Sequence, residues 1–196
     1  MILKPYSTLL KQDWNKFVAE SKNATFLFNR DFMDYHSDRF EDCSLIFEDK
    51  GRILACLPAN VDRERSQIVS HGGLTYGGVL MSEKITMVQV LEKFRLSADY
   101  FKKECGAERW LYKPIPYIYS SYPAQEDLYA LFRMGAVLES RGVSSAIQLQ
   151  GRLQMSTGRL QCVKKAQKEG LVMRESSDVL PFWNLLNNVL VSNHGV

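Results

Sequence analysis

The chain has 196 residues, 45% of them hydrophobic and 24% charged, which suits a folded domain with a substantial core and excludes a disordered segment. Its 25 lysines and arginines against 22 aspartates and glutamates leave a formal charge of +3, too near balance to mark a nucleic-acid binder by composition. Cys43, Cys56, Cys105 and Cys162 are widely separated, with no CxxC pair and no close histidine. That spacing fits neither a zinc site nor a disulfide scaffold, and predicts four reduced, mostly packed thiols in a cytoplasmic protein without a metal. Met1 to Tyr6 lack the layout of a signal peptide, and no apolar run approaches the ~20 residues of a membrane span.

In chain order, Ser7 is placed to cap a helix with Leu10, Trp14, Phe17 and Val18 on one face. Asn29 opens a second helix, along which Phe32, His36 and Phe40 line up. Residues 44–48 and 52–57 read as a hairpin around Asp49-Lys50-Gly51, with Pro58 ending the second strand. Two short strands flank the segment from His71 to Gly78. A long helix over 83–105 carries Met87, Leu91, Phe94, Ala98 and Phe101 as its apolar stripe, and Gly106 closes it. Residues 110–112 form a buried strand, 114–116 an extended loop, and 124–134 a helix ending at Gly135. Further strands are predicted at 137–139, 144–149 and 171–173, a basic helix at 159–169, and a last helix capped by Asp178, with Pro181 in its first turn and Gly195 beyond its end. Strands and helices alternate, with hairpins among them, which predicts an α/β (α+β) fold: one domain over 1–196, a mixed sheet flanked by helices.

The most unusual stretch is Ser70-His71-Gly72-Gly73-Leu74-Thr75-Tyr76-Gly77-Gly78. Paired glycines let the backbone turn sharply or let a ligand approach main-chain groups closely. One reading makes His71, Gly72, Gly73, Thr75 and Tyr76 a substrate-lining segment; the other makes them two tight turns around a packed Tyr76. No Gly-Lys-Ser or Gly-Lys-Thr follows, so it is not a Walker loop, nor is it a dinucleotide fingerprint. His36 reads as a catalytic base or as a hydrogen-bonded histidine on a half-buried face. Arg30 and Arg39 either bind an anionic ligand or pair with Asp31, Asp34, Asp38 and Asp42 on a solvated surface. In the basic helix, Arg159, Lys164, Lys165 and Lys168 surround a side formed by Leu160, Val163 and Gln167. They form a solvated face or a platform for the phosphates of a nucleotide-linked substrate or a transfer RNA; in either case Leu160 and Val163 are expected to anchor the helix. No nucleophile–base arrangement or metal motif is present.

Three stretches together resemble FemAB-like members of the GNAT superfamily of N-acyltransferases, known from bacteria. They are Phe26 to His36 running on through Asp38-Arg39-Phe40 to Ser44-Leu45, Leu57-Pro58-Ala59-Asn60 leading to Ser70 through Gly78, and Val163 through Leu171 followed by Phe182-Trp183. The last is similar to the basic helix, ending in glycine, of Fem-type peptidoglycan-bridge ligases. The resemblance implies the acyl-CoA N-acyltransferase fold and transfer of an acyl or aminoacyl group, from acyl-CoA or aminoacyl-tRNA, to an amine. The acceptor it implies is an amine-bearing molecule such as a nucleotide-linked cell-wall precursor. The sequence departs from the pattern in two respects. No Gln/Arg-x-x-Gly-x-Gly/Ala loop for the CoA pyrophosphate is present; and FemAB-like chains carry two such domains in tandem, so this one resembles the first half of such a pair and is expected to work beside a second GNAT-like domain or as a homodimer. The alternative is a non-catalytic binding module that keeps the fold without the cofactor loop.

Overall fold

In the computed structural model, which describes residues 2–151 and 153–195, the chain forms two units, residues 1–139 and 140–196. The first contains strands β1 (Ile2–Pro5), β2 (Glu41–Asp42), β3 (Leu45–Asp49), β4 (Arg52–Leu57), β5 (Asn60–Asp62), β6 (Gln67–Val69), β7 (Leu80–Met81) and β8 (Arg109–Leu111). Its helices are α1 (Lys11–Glu20), the short α2 (Arg30–Met33), α3 (Met87–Glu104) and α4 (Glu126–Arg133). The second unit contains α5 (Thr157–Lys168) and α6 (Leu180–His194).

Side chains alternate across a strand, and here both faces are covered. Leu45 and Phe47 of β3, Ala55 and Leu57 of β4, and Met81 of β7 enter one core with Val90, Phe94 and Phe101 of α3. Ile46, Cys56 and Leu80, one residue out of phase, enter a second core with Trp14, Phe17 and Val18 of α1 and with Phe28 and Met33. The strands therefore read as continuous apolar runs. Strands β1, β3, β4 and β7 form one antiparallel sheet in the order β1-β3-β4-β7. Lys50 and Gly51, at φ +49° and +74°, make the β3–β4 turn in the sense that matches strand twist.

The hairpin changes sheets at Ser44 and Ala59. Pro58 has no N–H to give, and the Ala59 amide donates to the Ser44 hydroxyl (3.0 Å) while the Cys43 amide donates to the Ala59 carbonyl (2.9 Å). Beyond this point β2 and β5 continue the two strands into a second sheet, β2-β5-β6-β8, in which β6 and β8 run parallel. Asn23 completes the free edge of β7, accepting from the Met81 amide and donating to the Val79 carbonyl, both at 2.9 Å. Mixed sheets flanked by helices are what the alternation of elements predicts.

Several expectations require correction. The buried stripe of α3 runs through Val90, Phe94, Ser97 and Phe101, so Phe94 and Phe101 of the predicted stripe are buried while Met87 and Leu91 pack half-buried against the same core; Lys93 is buried as well, with its ammonium 5.7 Å from the centre of the Phe47 ring. The helix begins at Met87 because Thr86 and Gln89 form a reciprocal capping box. After Met33 the chain tightens into a 3-10 turn (Asp34–His36), so Phe32, His36 and Phe40 do not share a helix face, and Phe32 instead meets Phe26 edge-on at 5.3 Å. Residues 137–139, 144–149 and 171–173 are irregular and exposed, not strands. No strand lies beside them among the described residues of their units, and a lone strand has no ladder to hold it. In the second unit Asp178 accepts from the Leu180 amide (3.3 Å), Pro181 lies in the first turn of α6, and Gly195 ends it in the left-handed region. None of that unit's described side chains is buried. No helix of the described residues is long and apolar enough to cross a membrane.

Candidate functional site

Between β6 and β7 the chain makes a loop whose two ends touch. At its neck a Cβ on residue 77 would stand 1.6 Å from the Ser70 carbonyl oxygen, so only glycine fits there. The extension of β8 stitches the neck. Ser70 donates its amide to the Leu111 carbonyl (2.9 Å), Lys113 donates its amide to the Ser70 hydroxyl (2.7 Å), and Gly77 donates its amide to the Lys113 carbonyl (2.9 Å). Inside the loop Leu74 and Tyr76 drop into the second core, each removing roughly 1.5–3 kcal/mol of apolar surface from water. The Tyr76 hydroxyl donates to Thr25 (3.1 Å) and its ring stacks on Tyr119 at 5.2 Å. Tyr76 is thus packed, whereas Gly72, Gly73 and Thr75 face solvent.

Under the glycine pair lies Phe40, close enough that a Cβ on residue 73 would stand 2.7 Å from its ring. Asn60 of β5 accepts from the Gly72 amide at 2.5 Å. Beside this floor the Arg30 guanidinium is wholly buried between two aromatic faces, 3.4 Å from the Tyr6 ring centre and 4.1 Å from that of Trp14. It is paired with Asp42 and lies 3.8 Å from Asp34. Its Nε and second terminal nitrogen find no partner among the described residues, and stacking on both faces offsets part of that cost. Arg30 pairs with aspartates, as one of the two sequence readings has it, but in the interior and not on a solvated surface. It is not free to bind a ligand anion.

His71 holds a left-handed backbone (φ +53°) and is buried against Phe40 at 5.5 Å, with Nδ1 unpartnered among the described residues. Burial drives its pKa down to about 4; Asp42 opposes the shift, while Arg30, Lys113 and His36 reinforce it. The imidazole is therefore neutral at physiological pH. The Lys113 ammonium donates to the Leu74 carbonyl inside the loop, and desolvation lowers its pKa. Sequence reading quoted Asn60 and Ser70 within its motifs but gave them no site role, and it missed Lys113; the nearness of Asn60 and Lys113 to the loop arises from tertiary pairing.

The structure brings His71, Gly72, Gly73, Thr75 and Tyr76 together with Arg30 nearby. His36 is half-buried against Tyr35 at 4.7 Å, and Arg39 is exposed. Arg159, Lys164, Lys165 and Lys168 belong to the second unit, all exposed on α5. Leu160 and Val163 are each 44% exposed, so within that unit they do not anchor the helix as expected. A groove of about 600 Å³ lies elsewhere in the first unit, between α1 and the β3–β4 hairpin, floored by Leu10, Phe17, Ile46 and Ile53. None of the predicted site residues lines it.

The residues present do not fit the pyrophosphate of a CoA donor at the start of α3. The capping box occupies the Gln89 amide there, and Thr86, Met87 and Val88 stand where a phosphate cradle needs glycines. Among the described residues no group of three or more His, Cys, Asp or Glu side chains is placed to hold a metal ion. No family model matches the chain, and no curated protein matches it. Among solved structures, the chain is similar to the apo aminoglycoside antibiotic 6′-N-acetyltransferase of Acinetobacter haemolyticus, with a TM-score of 0.45 and 12% identity over 76% of this chain and 100% of that one.

Two expectations follow from the loop. Gly77→Ala forces the neck apart and is expected to cost on the order of 3–5 kcal/mol in urea unfolding; a loss below about 1 kcal/mol would show that the neck is not closed. His71 has a folded pKa below its unfolded value, so the unfolded chain takes up a proton that the folded one refuses. Stability therefore falls as pH drops below about 6.5, and about 3 kcal/mol is gone near pH 4. His71→Asn, which tolerates the left-handed backbone, is expected to remove that share of the acid sensitivity. An unchanged pH profile would contradict the burial of the neutral ring.

Proposed function

We propose that the chain is an N-acyltransferase-type domain whose part is to hold the amine acceptor at the Ser70–Gly77 loop. The resemblance to FemAB-like enzymes points to this chemistry, and the observation that carries the reading is the loop itself. It is a pinned segment whose exposed residues, Gly72, Gly73 and Thr75, flank an imidazole that stays neutral.

A protonated histidine beside the acceptor would repel its ammonium form, and the neutral ring does not. With a pKa of about 4, His71 is not the base that strips the amine. Moving a proton from an ammonium near pKa 10 to such a ring is uphill by roughly 8 kcal/mol. Buried beneath the tip, His71 helps hold the loop that presents Gly72, Gly73 and Thr75 to the acceptor, and catalysis rests on alignment with the donor. The donor, acyl-CoA or aminoacyl-tRNA, is then held outside the α3 start, by a second GNAT-like domain or a second copy. On this reading the α5 cations Arg159, Lys164, Lys165 and Lys168 serve a polyanionic donor or a nucleotide-linked acceptor. The closed α3 start favours a second reading, in which the domain binds amines without turnover; appearance of N-acylated product separates the two.

The test is a titration of the isotopically labelled full chain with a peptide bearing one free lysine amine, and with the same peptide N-acetylated. The amide resonances of Gly72, Gly73 and Thr75 are expected to move with the free amine alone, and calorimetry is expected to show no micromolar binding of acetyl-CoA. Identical responses to both peptides, or micromolar acetyl-CoA binding by this chain alone, would overturn the reading.

A further inference from the structure

The groove between α1 and the β3–β4 hairpin lies wholly in the first unit, and the candidate site makes no use of it. Its volume of about 600 Å³ suits a small organic ligand, and its floor is apolar, with Leu10 and Phe17 supplied by α1 and its approach and Ile46 and Ile53 by the sheet. The rim is charged, and its two sides differ in sign. Helix α1 contributes Asp13, Lys16 and Glu20, whose spacing puts them on one side of the helix, and there the acids outnumber the base. The sheet side contributes Arg52 at the start of β4, with Glu83 and Lys84 just beyond β7, the strand that pairs with β4. On that side the bases outnumber the acid. Lys4 and Glu48, the remaining charges of the lining, are paired with each other at 2.6 Å. No ion pair joins Asp13, Lys16, Glu20, Arg52, Glu83 or Lys84 to another described residue, and all of these side chains belong to exposed residues.

An apolar floor between rims of opposite sign complements a molecule that is apolar in the middle, with an ammonium at one end and a carboxylate at the other. A neutral apolar molecule would leave both rims unused, and a polyanion would meet Asp13, Glu20 and Glu83. The volume has room for more than a single amino acid. We propose that this groove is a second ligand site, which takes a short peptide of apolar residues with both ends free. The peptide's ammonium lies toward Asp13 and Glu20, its carboxylate toward Arg52 and Lys84, and its side chains over Ile46 and Ile53. Arg52 can hold a carboxylate through two parallel N–H donors, which fixes the direction in which the peptide lies. No residue of the Ser70–Gly77 loop lines the groove, so this site stands apart from the acyl-transfer reading.

The experiment titrates the isotopically labelled full chain with the tripeptide Leu-Phe-Leu, and with the same peptide N-acetylated, C-amidated, or capped at both ends. The free peptide is expected to move the amide resonances of Ile53, Leu54 and Ser82, which line the groove. Capping either end is expected to weaken binding about fivefold. Arg52→Ala is expected to weaken the free peptide by a similar factor and to leave the affinity of the C-amidated one unchanged. Asp13→Asn with Glu20→Gln is expected to weaken the free peptide and spare the N-acetylated one. These positions are exposed, and amide resonances unchanged away from the groove show that the variants fold. Equal affinity for the free and doubly capped peptides, or equal losses for free and capped peptides in the variants, would overturn the proposal. So would the absence of any response at Ile53, Leu54 and Ser82, including shifts confined to Gly72, Gly73 and Thr75.

Discussion

The Ser70 carbonyl occupies the space that any side chain at residue 77 would need, and the candidate site depends on that contact. Because the two ends of the loop touch, the extension of β8 can bond to both, with Lys113 serving Ser70 through its amide, Gly77 through its carbonyl and Leu74 through its ammonium. With its neck closed and Leu74 and Tyr76 buried, the remaining residues have little freedom left, and Gly72, Gly73 and Thr75 are presented on a fixed base. The conformational cost of ordering such a segment is met in folding and not again on binding a partner.

Charge around the loop is arranged so that one group stays neutral. Arg30 is a permanent cation sealed between Tyr6 and Trp14, and Lys113 is a second cation beneath the loop. Asp42 balances Arg30 and so has little left with which to hold a proton on His71; burial and the cations together outweigh it. The same aspartate accepts from the Ser44 amide at 2.7 Å, which links the electrostatics of the loop to the bend where the hairpin changes sheets. Arg30 is thus a structural ion whose removal would leave Asp42 unpaired and two aromatic faces apart.

Elements driven by local chemistry were legible in the sequence. The hairpin around Lys50-Gly51, the start of α2 at Asn29 and the ends of α3, α4 and α6 at Gly106, Gly135 and Gly195 follow from caps, turns and periodicity that act within a few residues. The strands expected at 137–139, 144–149 and 171–173 show the limit: an apolar, β-prone run becomes a strand only when another strand supplies its hydrogen bonds. Within the site, the glycine pairs were visible but their separate duties were not. Gly73 makes room for Phe40, and Gly77 for the Ser70 carbonyl, contacts set by tertiary approach. Arg30 looked like a surface cation because its aspartates are adjacent in sequence, while the two rings that enclose it come from β1's end and α1.

The central claim, that the loop is closed at its neck and open at its tip, is tested most directly by native-state hydrogen exchange resolved to single amides. The amides of Ser70 and Gly77 are expected to exchange only with global unfolding, at the rate of the β3–β4 ladder, while those of Gly73 and Thr75 exchange orders of magnitude faster. Exchange of Gly77 as fast as that of Thr75 would contradict the account, because the neck would then be open and the loop unable to hold a fixed site.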